Sequence, residues 1–154
     1  MKHILFFVLS LAGTAFSCSS AKKAGSSVIV QGITGYITEK KGNRMPMKDA
    51  PQSNGSPVLT NVLIYEPTML DQVSRVGTSA LYTSIHTKLV ASVATDSSGH
   101  YTVALAPGNY SVFIQRGKQF YANLFDVNNN IALFRVEENK LTTANLVISG
   151  EASY

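Results

Sequence analysis

An all-β sandwich is the fold class this sequence predicts, on three observations. About eight short runs alternate apolar and polar residues with the period of two that a half-buried strand requires. Turn-forming clusters separate them roughly every eight to twelve residues. The third is the stretch 94–117, where both features are densest. Asp96-Ser97-Ser98-Gly99 sets side chains that hydrogen-bond their own backbone beside a glycine that tolerates positive φ. Tyr101, Val103 and Leu105 then alternate with His100, Thr102 and Ala104. Pro107-Gly108 fits the second and third positions of a tight turn, and Tyr110, Val112 and Ile114 resume the alternation. The expectation is a β-hairpin whose apolar face a second sheet must cover.

The chain opens on a targeting pattern. Lys2 supplies a positive start, residues 4–12 form an apolar run broken only by Ser10, and Ala15-Phe16-Ser17 offers small residues at the cleavage positions. Residues 1–17 are therefore expected to be a signal peptide, too short to span a bilayer. Cys18 is the only cysteine and follows the expected cut. Ala15-Phe16-Ser17-Cys18 resembles a bacterial lipobox, which implies acylation of Cys18 and a membrane partner through the lipid anchor. Ser19 after the cysteine resembles outer-membrane sorting, facing the periplasm. Plain secretion with a free thiol is the alternative. Residues 18–27, small and polar, read as a flexible tether.

The remaining residues form one domain, 28–150, without a disulfide. The chain has 13 Lys and Arg against 9 Asp and Glu, net +4. Loss of Lys2 leaves 12 against 9, too even and too scattered for a nucleic-acid partner. Residues 28–38 are the first strand, with Gly32 and Gly35 signalling a bulge or a close backbone approach. Residues 39–57 carry Lys40, Lys41, Arg44 and Lys48 without periodicity and read as a long surface loop. Residues 59–66 are a strand with Val62 and Ile64 on one face and Leu63 and Tyr65 on the other. In 68–85, Met69, Leu70, Val73 and Val76 recur at near-helical spacing, so a short helix or an irregular loop is expected. Residues 87–95, 120–127, 131–136 and 141–148 complete the strands.

The pattern Thr95-Asp96-x-x-Gly99-x-Tyr101, then Leu105-x-Pro107-Gly108-x-Tyr110 and Gly117, resembles the carboxypeptidase regulatory-like domain. Asn61-Val62-Leu63-Ile64-Tyr65 matches where that family places its second strand. The resemblance implies a transthyretin-like (prealbumin-like) sandwich of about seven to eight strands. It also implies a non-catalytic accessory role. Gly42-Asn43-Arg44-Met45-Pro46 and Tyr121-Ala122-Asn123 resemble small Gram-negative envelope lipoproteins.

Little in the sequence points to catalysis. His86 and His100 are the histidines left after cleavage, and neither sits in a His-x-x-x-His or His-x-x-Glu pair. His100, opposite in phase to Tyr101, should face solvent. A triad from Ser97 or Ser98, His100 and Asp96 crowds three groups into one turn. Asp126-x-Asn128-x-Asn130 with Glu137 has calcium-loop spacing, but Ile131 stands where such a loop needs glycine, so an Asn-rich turn is expected instead. No metal and no cofactor is expected. For recognition, the candidates are Phe120, Tyr121 and Phe125 near one sheet end, and the basic Lys40, Lys41 and Arg44. The expected function is a tethered, non-catalytic envelope module whose loops or free edge strand engage a protein or glycan. The alternatives are a small hydrolase or metal-dependent enzyme, and a self-assembling adhesion or stalk subunit.

Overall fold

Branched and aromatic residues at alternate positions make strands of nearly every long segment. The computed structural model describes residues 28–40 and 55–149. The order is β1 (Gly32–Lys40), β2 (Ser56–Pro57), β3 (Asn61–Tyr65), a 3-10 turn (Leu70–Gln72), β4 (Val73–Arg75), β5 (Leu81–Ile85), β6 (Leu89–Ala94), β7 (His100–Ala104), β8 (Gly108–Arg116), β9 (Gln119–Tyr121), β10 (Leu133–Val136), β11 (Leu141–Thr143) and β12 (Leu146–Ser149). No α-helix occurs among the described residues, and none there could cross a membrane.

Two sheets face each other. In the smaller, β1 is central: β7 and β2 pair with it antiparallel, and β11 and β12 pair with it in parallel. β11 and β12 keep one register, Gly32 opposite Leu141 and Ile37 opposite Leu146, so they are a single strand interrupted at Ala144 and Asn145. The interruption has a local cause. A Cβ on Gly35 would lie 2.1 Å from the Ala144 carbonyl oxygen, so backbone meets backbone there. The Tyr36 N–H donates instead to Asn145 Oδ1 at 2.9 Å. On the other side of β1, Gly32 sits at φ 141° with its absent Cβ 1.9 Å from the Val103 oxygen. The close approach expected at both glycines is what the fold uses.

The larger sheet runs β4-β5-β9-β8-β3-β6, with β10 on β8. Between the sheets lie Ile33, Ile37, Val62, Ile64, Tyr101, Val112, Ile114, Tyr121 and Leu146, all buried. Each such side chain, fully removed from water, contributes about 1.5–3 kcal/mol. Opposite phases of the same strands build a second cluster on the outer face of the larger sheet. There Leu63, Tyr65, Tyr82, Phe113 and Ile131 pack together. Phe113 meets Tyr65 and Tyr82 edge-on, centroids 5.6 and 5.8 Å away. β3 and the middle of β8 are therefore buried on both faces.

Two expectations are corrected. The stretch 94–117 is not a hairpin: β7 pairs with β1, whereas β8 pairs with β3, β9 and β10. Pro107 and Gly108 carry the chain across the sandwich from one sheet to the other, and Gly108 is not in the left-handed region. Tyr110 Oη donates to the Ala106 carbonyl at 3.0 Å and braces the crossing. Residues 68–85 form neither a helix nor an irregular loop. After the short 3-10 turn, β4 and β5 pair antiparallel with a register shift between Ser74 and Arg75. Val73 and Ile85 thereby reach the second cluster, and its burial outweighs the near-helical spacing.

Candidate functional site

The end of the larger sheet nearest β4 carries several exposed apolar side chains, and its geometry starts at Thr68. Pro67 ends the strand before it, and Thr68 is fully buried. Its N–H donates to Ser111 Oγ at 3.0 Å, its hydroxyl to the Glu66 carbonyl at 2.7 Å, and its oxygen accepts from Thr87 Oγ1 at 2.6 Å. Its own carbonyl accepts the Ile131 N–H at 2.8 Å. Every polar atom is satisfied, which fixes the entry to the next loop. Met69 then bridges to Asn130, and the Leu70 N–H donates to the Asn129 carbonyl at 3.2 Å.

The facing loop is held by one carboxylate. Asp126 Oδ1 accepts the N–H groups of Asn128 and Asn130, each at 2.9 Å, and Oδ2 accepts Asn130 Nδ2 at 2.7 Å. Asn129 takes the left-handed conformation at φ 62°. These donors hold the Asp126 carboxyl below its usual range, the Asn130 side chain foremost. Three contacts from neutral N–H groups occupy the carboxylate oxygens. This is the Asn-rich turn expected from the sequence. Among the described residues no three His, Cys, Asp or Glu come together as a metal site.

At the tip of this pinned turn Val127 is 98% exposed, while Leu124, Phe125 and Met69 beside it are each a little over 40% exposed. The Arg75 guanidinium lies 5.8 Å from the centre of the Phe125 ring. Arg75 Nη2 also donates to the Thr78 carbonyl at 2.6 Å, so the cation is anchored to the β4–β5 turn. The site is thus a rigid apolar tip with one cationic, aromatic shoulder.

The other candidates distribute differently. Phe120 and Tyr121 are neighbours on β9 and point to opposite faces. Phe120 packs on the second cluster, and Tyr121 is buried between the sheets, its hydroxyl 3.2 Å from Ser149 Oγ. Neither joins Phe125 in a surface patch. Lys40 is exposed at the end of β1, and Glu39 beside it pairs with Arg116 at 2.8 Å. Lys41, Arg44 and Cys18 lie outside the described residues. Asp96 and Gly99 form the β6–β7 turn, and Tyr101 is a core residue whose hydroxyl donates to the Ala144 carbonyl at 2.8 Å. Burial pushes that phenol's pKa up.

Of the two histidines, His100 is less open to solvent than expected. His100 is half-buried on the outer face of the smaller sheet, 5.0 Å from the Tyr36 ring, with Nε2 3.0 Å from Thr34 Oγ1. Asp96 Oδ2 stands 3.9 Å from His100 Nδ1, so hydroxyl, imidazole and carboxylate form a line. It is not a nucleophile at work. Thr34 Oγ1 also lies 3.1 Å from the Tyr101 carbonyl and 2.8 Å from Thr102 Oγ1, which fills its hydrogen-bonding capacity. The Asp96 distance exceeds a hydrogen bond. His86 is exposed, with Nε2 3.3 Å from Ser84 Oγ.

A shallow groove of about 500 Å³ lies at the other edge, lined by Leu59, Thr60, Asn61, Thr95, Gln115 and Gly117. Its two amides face each other, Asn61 Nδ2 donating to Gln115 Oε1 at 2.9 Å. The sequence reading missed Met69, Leu124 and Val127. An apolar residue inside an Asp-x-Asn-Asn-Asn turn was the available signal for Val127.

No protein-family model, no curated protein and no solved structure matches this chain. The class of protein is therefore given by the fold itself: an all-β chain of two facing sheets, a β-sandwich.

Proposed function

We propose that this chain is a non-catalytic envelope lipoprotein, anchored through acylated Cys18, whose sandwich binds a protein partner with the pinned 124–130 loop. The single observation that carries the binding reading is Val127, an aliphatic side chain held in solvent on a turn that Asp126 makes rigid. Rigid apolar groups cost little ordering entropy on docking. Of the two partner classes, protein is favoured over glycan. The exposed groups at this loop are aliphatic plus one phenyl ring, and that ring is already covered by Arg75. The finer identity, a carboxypeptidase regulatory-like domain with a transthyretin-like sandwich, rests on the Asp96–Tyr110 motif and is part of this proposal.

Capture from solubilised membranes tests the surface. The wild-type chain should recover one reproducible protein that the Val127→Asp variant loses while keeping its thermal midpoint. Equal recovery by both ends the proposal. Incorporation of labelled fatty acid that persists in Cys18→Ser would remove the anchor. Turnover in a hydrolase screen, lost in both His86→Ala and His100→Ala, would replace the non-catalytic reading with an enzyme.

A further inference from the structure

The shallow groove of about 500 Å³ continues the outer face of the larger sheet past the point where the second cluster ends. Val62 of β3 and Ile114 of β8 lie opposite each other and point between the sheets, so their neighbours Asn61 and Gln115 point outward. Leu63 and Phe113, two residues along the same strands, are buried in the second cluster, whereas Asn61 is exposed. Ala94 of β6 pairs with Asn61 and is exposed as well. Ala94, Asn61 and Gln115 therefore form one row across three strands, about 10 Å long at two strand spacings.

Hydrogen bonding separates the spent groups of the groove from the open ones. The Thr95 hydroxyl donates to the Val58 carbonyl at 2.8 Å and accepts the Thr60 N–H at 2.9 Å. The Thr60 hydroxyl donates to the Gln115 carbonyl at 2.7 Å. Both hydroxyl protons are thus spent on backbone, which holds the lining in place. Asn61 Nδ2 donates to Gln115 Oε1 at 2.9 Å, and Gln115 Nε2 reaches the Gly117 carbonyl at 3.4 Å. Among the described residues, Asn61 Oδ1 and one N–H of each amide are left over. No charged side chain among the described residues lines the groove. Arg116 turns onto Glu39 at 2.8 Å, and Asp96 Oδ1 takes the Ser98 and His100 N–H groups. Leu59, 73% exposed, and Ala94 supply apolar surface beside the amides.

We infer that this groove binds a neutral saccharide through the paired amides of Asn61 and Gln115. A hydroxyl both donates and accepts, so two adjacent ring hydroxyls serve Asn61 Oδ1 and Gln115 Nε2 at once. The C–H face of the sugar then lies against Leu59 and Ala94. An apolar lining with a few placed polar groups is what small-ligand sites share. A charged ligand would shed its hydration here without meeting an opposite charge. An extended peptide is the competing occupant. Its backbone offers a donor and an acceptor at every residue, and a row one residue deep matches them only once. A groove this shallow leaves much of the ligand in water, so a dissociation constant of about 1 mM is expected. The groove shares no residue with the 124–130 loop, so this inference and the protein-binding reading fail separately.

The test uses the full chain in a zwitterionic detergent, because maltoside detergents are themselves sugars. Saturation-transfer NMR is run with the neutral disaccharides cellobiose, maltose and diacetylchitobiose. Digalacturonate serves as the charged probe and a blocked dialanine as the peptide probe. At least one neutral disaccharide should bind. Its affinity should fall roughly tenfold in Asn61→Leu, which removes the open acceptor and is worth about one hydrogen bond. Ala94→Phe, which fills the groove without touching either amide, should abolish it. Both positions are exposed, so thermal midpoints should hold, and if one variant fails to fold the other decides. No binding of any neutral disaccharide up to roughly 20 mM, well above the expected constant, would overturn the inference. So would binding confined to digalacturonate or the blocked dialanine, or binding unchanged in Ala94→Phe.

Discussion

Two turns in this molecule have the same skeleton and opposite surroundings. In Asp96–His100 and in Asp126–Asn130 the aspartate N–H donates to the carbonyl four residues on, and the residue three on donates back to the aspartate carbonyl. In both, the carboxylate oxygen Oδ1 accepts the N–H groups two and four residues ahead. In both, the fourth residue is left-handed, Gly99 at φ 76° and Asn129 at φ 62°. The difference is what lies above that residue. A Cβ on Gly99 would come 2.5 Å from the Ile37 carbonyl oxygen and 3.2 Å from Pro57, because this turn carries the chain from the larger sheet onto β1. Asn129 is exposed. One backbone shape serves as a buried joint in one place and a surface post in the other. Glycine is required only at the joint.

Substitutions at the fourth position should separate the two turns most widely. Gly99→Ala adds both left-handed strain and a collision with backbone, and should cost about 3 kcal/mol in chemical denaturation without changing the m-value. Gly99→Asn tests the reason: asparagine accepts the dihedrals but still carries the Cβ, so its loss should stay near that of Gly99→Ala. A mild effect would mean that burial does not distinguish the turns. Asn129→Ala should cost about 1 kcal/mol from strain alone. Asn129→Gly should move stability by less than about 0.5 kcal/mol.

Acid should act on both turns alike. Asp96 is held below its usual range first by the Ser98 hydroxyl and then by the His100 N–H, and Asp126 first by the Asn130 side chain. A carboxyl with a lowered folded pKa stabilises fully above its unfolded value of 3.8, and that stability drains as pH falls through the folded value. Thermal midpoints between about pH 5 and pH 2 should therefore decline less steeply in Asp96→Asn and Asp126→Asn than in the wild type. This is the smallest effect of the series, since both groups are open to solvent and screened.

Much of this was legible in local sequence. Alternation located most of the strands, Gly32 and Gly35 announced the backbone approaches around β1, and Asp126 with its asparagines announced a turn. The hairpin error has a plain physical source. Tyr101 of β7, Leu105 just past its end, and Val112 and Ile114 of β8 enter one core, and they would alternate identically whether the strands lay side by side or faced each other across it. Periodicity reports which residues point inward, not from which sheet. The second cluster was hidden for a related reason. Val62 to Tyr65 is apolar without a break, the mark of a strand covered on both faces, but its cover comes from 66–87 and 122–132, whose own patterns are weak. The site suffered most. Phe125 was found, but adjacent aromatics on β9 must point to opposite sides, so Phe120 and Tyr121 could not share its surface.

The parallel pairing of β1 with β11 and β12 joins residues 109 apart in the chain. During synthesis one flank of the smaller sheet's central strand has nothing to bond until nearly the whole domain has emerged. Closing so long a loop is slow, and partial chains cannot anticipate it. Such a polypeptide would complete its smaller sheet only as its last strand arrives.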